Sequence, residues 1–344
     1  MLLLAPSDGV INERLAAELA EVESRFAAEL LSDLPCVNDL VAHVERYRGK
    51  MLRPTLVLLS AMATASHRSE PTEDHRIIAT VLEMVHMATL VHDDILDEAQ
   101  MRRGGATLNH LAGNEAAVML GDYLISHAYH LCSSLNRPDV SQIIARVTNT
   151  ICEGELLQLA NRNNWALDER TYFEIIRRKT ACLSGVCCRL AAMINEAEPA
   201  TVAALDSYGE KLGVAFQIID DLLDLTGEEK TVGKTLGRDL EKGKLTLPLI
   251  HCLATAAPDQ RQALVSLLDR ARASAGSAQP EPALHDRLAQ IQEQLRRSGS
   301  VAYARQHAAR LIQMAKAGLV EHLPDSPARS LMLEMADAVL VRRS

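Results

Sequence analysis

Aromatic side chains are scarce in this chain: three Phe, one Trp and six Tyr make up 3% of 344 residues. A core must therefore come from Leu, Ile, Val, Met and Ala, which suit close packing between helices. Strand signals are missing too, since no β-branched runs alternate with polar residues between turns. No window approaches 18 uninterrupted apolar residues, which excludes a membrane-spanning helix. The opening MLLLAPSDGV lacks the basic region and apolar length of a secretory leader. Positive charge is in deficit: 36 Lys and Arg against 45 Asp and Glu leave a net charge of −9. That balance argues against a nucleic-acid partner. Seven cysteines form an odd set without a CxxC pair and read as small buried hydrophobes in a reducing compartment. No histidine pair has HExxH-type spacing, so zinc is not indicated. These absences describe a soluble cytoplasmic protein.

What remains is helical. With 48% hydrophobic residues the chain can bury a large core. Apolar residues recur at helical spacing from Ile11 to Leu31, and Thr72 opens a segment just after Pro71. Asn114 is placed to cap Glu115–Leu135, Pro138 starts a segment to Leu159, and Asp168 caps one running past Ala192. Further helices fit Ala200–Leu225, Leu245–Thr255 and Ser326–Val341. Ala271–Pro282 is rich in small and polar residues and reads as a surface loop, and Gly227–Gly243 as a polar flap. The expectation is one all-α domain over residues 1–344.

One acidic pattern occurs twice, as Asp93-Asp94-Ile95-Leu96-Asp97 and, 127 positions later, Asp220-Asp221-Leu222-Leu223-Asp224. On a helix the outer carboxylates of each copy lie one turn apart, with the middle one beside them. Apolar stretches lead into both copies, and carboxylates on so apolar a helix are costly unless paired or bound to a cation. Acidic triplets usually cap a helix start, but these come late in their segments, where the dipole disfavours them. Two such clusters facing each other would line a negative cavity. Its natural guests are several Mg²⁺ ions with a polyphosphate, because Mg²⁺ takes one or two carboxylates plus phosphate oxygens.

Fixed cations stand near these acids. Arg102 and Arg103 follow the first motif, with Gly104-Gly105 expected to end its helix. Lys50 and Arg53 flank a helix start, where free N–H groups also attract anions. Lys234 and Lys242 lie in the flap, and Lys244 directly follows it. Most such residues are solvated surface charges. Lys179, beside Thr180 in an apolar helix, differs, because its burial calls for an anionic partner. His86 reads on its own as a core histidine, and Gln217 falls on the face of Asp220.

The stretches GKMLRP, HMATLVHDDILDEAQMRRG, RRKTA and FQIIDDLLDLTGEEKTVGKTLGRDLEKGKLTLPLI resemble the signature blocks of trans-prenyl diphosphate synthases, especially long-chain ones. Order and spacing agree, and compatible sequence runs from about Ala16 to Arg343. The resemblance implies a helical bundle of the isoprenoid synthase type around a central cavity, acting as a homodimer. It implies condensation of isopentenyl diphosphate with an allylic diphosphate, farnesyl or geranylgeranyl, using about three Mg²⁺ ions. Asp93, Asp97 and Asp220, supported by Asp94, Asp221 and Asp224, would then hold the metal. Arg102, Lys179, Lys234 and Lys244 would surround the allylic diphosphate, with Thr180 and Gln217 hydrogen-bonding it. Lys50, Arg53, His86 and Arg103 would take isopentenyl diphosphate without metal.

The same resemblance places the growing chain beneath the first motif, beside Met84, Val85, Ala88 and Thr89. None is a large ring, which points to a long product, octaprenyl diphosphate, for quinone side chains. Such a product is nearly insoluble and implies peripheral membrane contact at release. Three other readings stay open. A short-chain synthase differs only in product, a terpene cyclase carries a different second metal motif, and a non-catalytic regulatory subunit typically has degraded acidic motifs. Both motifs are intact here.

Overall fold

The computed structural model describes residues 9–45, 49–65, 70–226, 237–274 and 282–342. They are helical almost throughout, and the chain is all-α. Among them no helix is long and apolar enough to cross a membrane. Two compact units divide the chain. The first comprises Met1–Asn149, Leu183–Glu210 and Lys316–Met335; the second comprises Thr150–Cys182, Lys211–Ala315 and Ala336–Ser344.

The first unit is organised around α4 (Glu73–Leu96), packed by α1 (Gly9–Glu29), α3 (Leu52–Thr64) and α5 (Leu108–Ser133). Apolar residues circle α4, so Ile78, Val81, Leu82, Met84, Val85 and Ala88 are all sealed from water. The start of α4 follows from sequence: Thr72 is the cap, its N–H donates to His75 Nδ1 at 3.0 Å, and Glu73 and Asp74 fill the first turn. Arg76 ties it to α1 by a fork on Glu18, 2.7 and 2.9 Å. Its last turn is the first acidic motif, closed by Asp97 N–H on the Asp93 carbonyl at 2.8 Å and by Glu98 in the left-handed region.

Gly104-Gly105 therefore does not end that helix. After α4 the chain forms an antiparallel ribbon, β1 (Met101–Arg102) with β2 (Gly105–Ala106). Its two-residue turn places Arg103 at φ 49° and Gly104 at φ 79°, the paired positive values that suit right-twisted hairpins. The helix expected from Asn114 begins earlier, at Leu108, and is broken at Gly113, just before Asn114 (φ 86°, ψ 164°).

The second unit contains α7 (Glu169–Ile176), whose cap Asp168 accepts from Thr171 N–H at 2.7 Å. The long helix expected beyond Asp168 is interrupted. Arg177–Ala181 is a π-turn, wider by one residue than the α-helix that resumes at Cys182 as α8 (Cys182–Ile194). This turn is the RRKTA block. Residue ranges of the remaining helices are α2 (Pro35–Glu45), α6 (Pro138–Ala160), α9 (Pro199–Thr226), α10 (Arg238–Glu241), α11 (Leu247–Thr255), α12 (Pro258–Ser274), α13 (Pro282–Arg297), α14 (Ser300–His322) and α15 (Pro327–Leu340). Of the loop expected at Ala271–Pro282, residues 271–274 belong to α12 and Pro282 starts α13, while residues 275–281 lie outside the described residues. All seven cysteines are free thiols; four are buried, while Cys36 and Cys152 are exposed, contrary to the uniform burial expected.

Candidate active site

In the first unit Asp94 is the sealed member of its motif, 3% exposed, while Asp93 and Asp97 are half-buried. Arg102 reaches back from β1 and forks onto Asp94: Nε to the two carboxylate oxygens at 3.0 and 2.9 Å, and Nη2 to Oδ1 at 2.7 Å. Burial alone would lower the Arg102 guanidinium. The Asp94 hydrogen bonds and the charges of Asp93 and Asp97 outweigh it, and its affinity for the proton rises. Asn109 Nδ2 donates to the Asp94 carbonyl at 3.3 Å and fixes the turn below.

Beside this motif stands a cationic group on the same unit. Burial pushes His86 well below its ordinary range, and Arg53, Arg103 and Arg102 push it further, so it is neutral at working pH. Gly49 makes space for Arg103, since a Cβ there would lie 2.5 Å from both terminal guanidinium nitrogens. Lys50 is exposed just before α3, with Met51 left-handed between them. The structure brings His86, Arg53, Arg102 and Arg103 within electrostatic reach of one another. Met84, Val85 and Ala88 are fully buried on α4, and Thr89 is half-buried with its hydroxyl on the His86 carbonyl at 2.7 Å.

The second motif, in the second unit, repeats the layout. Asp221 is sealed at 5% exposure, and Asp220 and Asp224 are half-buried. Asp221 accepts from the Tyr172 phenol at 2.6 Å and from Gln217 Nε2 at 2.8 Å. Thr180 Oγ1 donates to Gln217 Oε1 at 3.1 Å. Burial, then the like charges of Asp239 and Asp220, raise the Asp221 carboxyl well above its usual range. Asp224 receives the backbone N–H groups of Arg238 and Asp239, at 3.3 and 3.2 Å. Burial and Asp239 nonetheless raise it to about 7. Arg342 stacks on Phe216, 4.0 Å from the ring centre, and lies 3.8 Å from Asp220 Oδ1.

A pocket opens beside this motif, lined by Lys179, Thr180, Gln217, Asp221, Asp239 and Lys244 among others. The π-turn sets Lys179 and Thr180 on its wall. Lys179 has an anionic partner within the protein, an ion pair with Glu155, and also donates to Gln158 Oε1 at 3.0 Å. Gly154 permits this closeness, since a Cβ there would meet the Lys179 backbone nitrogen at 2.6 Å. Lys234, and most of the expected flap, lie outside the described residues. Among the described residues no three His, Cys, Asp or Glu are gathered at metal-binding distance. The acidic sites are nonetheless made of hard oxygens only, half-buried and negative, a donor set that fits Mg²⁺ or Ca²⁺.

The Polyprenyl synthetase family profile matches residues 35–281. The chain belongs to that family. As a polyprenyl synthetase it is a trans-prenyltransferase of the prenyl diphosphate synthase type. It is 35% identical over 332 residues to the octaprenyl diphosphate synthase of Escherichia coli K12, covering 96% of this chain and 98% of that one. The crystal structure of a decaprenyl diphosphate synthase from Rhodobacter capsulatus matches with a TM-score of 0.84 and 33% identity, covering 95% and 97% of the two chains. A polyprenyl synthase from Caulobacter crescentus CB15, crystallised with calcium and isoprenyl diphosphate, matches at TM-score 0.86 and 31% identity, covering 96% and 98%. Octaprenyl and decaprenyl relatives agree on chemistry and differ in product length.

Several residues at this polyprenyl synthetase's acidic sites escaped sequence reasoning. Asp239 faces Asp221 and Asp224 and adds a fourth carboxylate to the second motif. Its signal was a further acid within the GRDLEKGK stretch. Tyr172, Glu155 and Arg342 carried none, because each meets its partner only through the fold.

Proposed function

We propose that residues 1–344 act as a single catalytic domain that extends farnesyl or geranylgeranyl diphosphate with isopentenyl diphosphate to all-trans octaprenyl diphosphate, a quinone side-chain precursor. The observation that carries this reading is the common build of the two acidic motifs. In each, protein donors clamp the middle carboxylate, while the outer ones stay half-buried. Asp93, Asp97, Asp220 and Asp224 are thus the residues to hold Mg²⁺ on the allylic diphosphate, with Asp94 and Asp221 orienting them. When bound, Mg²⁺ supplies Lewis-acid charge to the diphosphate leaving group.

The chain's own residues do the rest. Lys179, Lys244, Thr180 and Gln217 share one pocket and are assigned to the allylic diphosphate, with Arg102 and Lys234 adding fixed charge. An ammonium has three donors, so Lys179 can keep Glu155 and Gln158 and still offer one to phosphate. Lys50, Arg53, His86 and Arg103 are assigned to isopentenyl diphosphate, where neutral His86 donates a hydrogen bond. Organic cations there and metal on the allylic partner ensure that only one diphosphate departs. The apolar walls keep water from the allylic cation, and the departing diphosphate takes the proton released on condensation. No protein nucleophile is needed. Burial holds Cys188 up at about 12 and Cys187 well above its usual value, so neither is a thiolate.

Octaprenyl length rests on Ala88, about 7.5 Å below Asp93 along α4 at 1.5 Å per residue, with Thr89, Val85 and Met84 as the other small or flexible walls. Of the two rings on α5, Tyr129 is 37% exposed and turned outward, leaving Tyr123, whose hydroxyl bonds the Leu30 carbonyl at 3.4 Å. The exposed Val118 and Met119 on α5, 42% and 65%, offer a second copy an apolar face in a homodimer. The enzyme is assigned to the cytoplasm, with loose membrane contact at product release. Mass analysis of the products made from each starter with isopentenyl diphosphate and Mg²⁺ tests the reading. Octaprenyl diphosphate is expected. Only farnesyl or geranylgeranyl products would overturn the length, and no diphosphate release would favour a regulatory subunit.

A further inference from the structure

Asp94 and Asp221 occupy the same place in their motifs but are held by different chemistry. The Arg102 fork neutralises Asp94. Asp221 instead meets two neutral donors, the Tyr172 phenol on Oδ2 and the Gln217 amide on Oδ1, at 2.6 and 2.8 Å. One donor per oxygen fixes the plane of a carboxylate without cancelling its charge. Both donors are themselves pinned. Tyr172 is 3% exposed on a capped helix, and the next ring, Phe173, packs edge-on against it at 5.4 Å and stacks on His307 at 5.6 Å. Gln217 is turned by Thr180.

We infer that Tyr172 is a positioning residue: its phenol holds Asp221 in the orientation the second acidic motif needs to grip a divalent cation, without placing a fixed positive charge beside it. The inference rests on the functional reading above, in which this motif serves the cation. A guanidinium in the same position would orient Asp221 equally well but weaken the field that attracts the ion. With the phenol removed, Asp221 keeps one donor and can swing about its Cβ–Cγ bond. Loss of such an outer partner typically lowers metal affinity or activity about 10–100-fold.

The test is Tyr172→Phe in the full-length protein, read two ways. Diphosphate release is titrated with Mg²⁺ at saturating substrates, and Mn²⁺ binding with inorganic diphosphate is followed by electron paramagnetic resonance. The half-saturating Mg²⁺ is expected to rise about 10-fold or more, with turnover at saturating Mg²⁺ largely kept, and Mn²⁺ to bind correspondingly more weakly. Tyr303→Phe, which removes a hydroxyl bonded to Glu169 at 2.9 Å in the same unit, is the control and should leave both readouts unchanged. In Tyr172→Phe/Asp221→Asn the two effects should not add, since the phenol acts through that carboxylate. Wild-type Mg²⁺ dependence and Mn²⁺ affinity in Tyr172→Phe, or additive effects in the double variant, would overturn the inference. Should Tyr172→Phe not fold, Gln217→Leu removes the other donor, and unchanged Mn²⁺ affinity there would overturn it too. A wild-type protein releasing no diphosphate with any divalent ion would instead sink the functional reading, a failure visible without the variant.

Discussion

Replacing Arg102 by Met isolates what holds the first acidic motif in shape. Asp94 is 3% exposed and, among the described residues, the donors to its carboxylate come from Arg102, whose own side chain is 25% exposed. Methionine keeps the stem and removes the guanidinium, leaving a sealed carboxylate without its cation. Breaking a buried pair from one side costs about 3–5 kcal/mol. Because Arg102 is partly wet, the lower end applies, about 3 kcal/mol. Removing both charges in Arg102→Met/Asp94→Leu should recover most of that loss, since the pair itself is close to neutral in net worth. Urea unfolding of both variants, without divalent ions, measures the difference. A single variant within about 0.5 kcal/mol of wild type would refute the reasoning, as would a double variant no more stable than the single.

Other expectations follow from the same geometry. Ala88→Phe should shorten the product while sparing the first condensation; an unchanged product distribution would place the floor of the chain channel elsewhere. Gly209→Ala should destabilise by about 1–3 kcal/mol, because the added Cβ would collide with the Ser184 carbonyl oxygen, a backbone atom that cannot swing aside. Gly318→Ala, with nothing within 4 Å, should instead gain about 0.5–1 kcal/mol, and equal effects in urea unfolding would contradict this. Asp224, raised by burial and by Asp239 and Asp220 to about 7, binds its proton more tightly folded than unfolded. Its contribution is therefore complete below about pH 4, the unfolded value, and lost as pH climbs through about 7. With EDTA present, Asp224→Asn should flatten that part of the stability curve, and an unaltered slope would count against it.

The helical class was legible because its cause is compositional: few rings, no alternating strands, apolar residues at helical spacing. Helix starts at Thr72, Pro138 and Asp168 were legible because caps and prolines act locally. Features that depend on distant partners were not. The π-turn at Arg177–Ala181 differs from an α-helix only by an i→i+5 bond and has no propensity of its own. The ribbon at Met101–Ala106 is too short to show a period, so Gly104 read as a helix stop. For Lys179 the apolar neighbours correctly required an anion, but that anion includes Glu155 of α6, a partner outside helical spacing. Tyr172 meets Asp221 across 49 positions, and a lone tyrosine between Thr171 and Phe173 gives no hint of it.

Diphosphate release by Asp93→Asn and Asp220→Asn, each with both substrates and saturating Mg²⁺, bears most directly on whether these acids do the chemistry. Both substitutions keep side-chain shape and remove one charge. Turnover is expected to fall by about 10²-fold or more in each, with the fold intact by circular dichroism. Wild-type turnover in either variant would contradict the account.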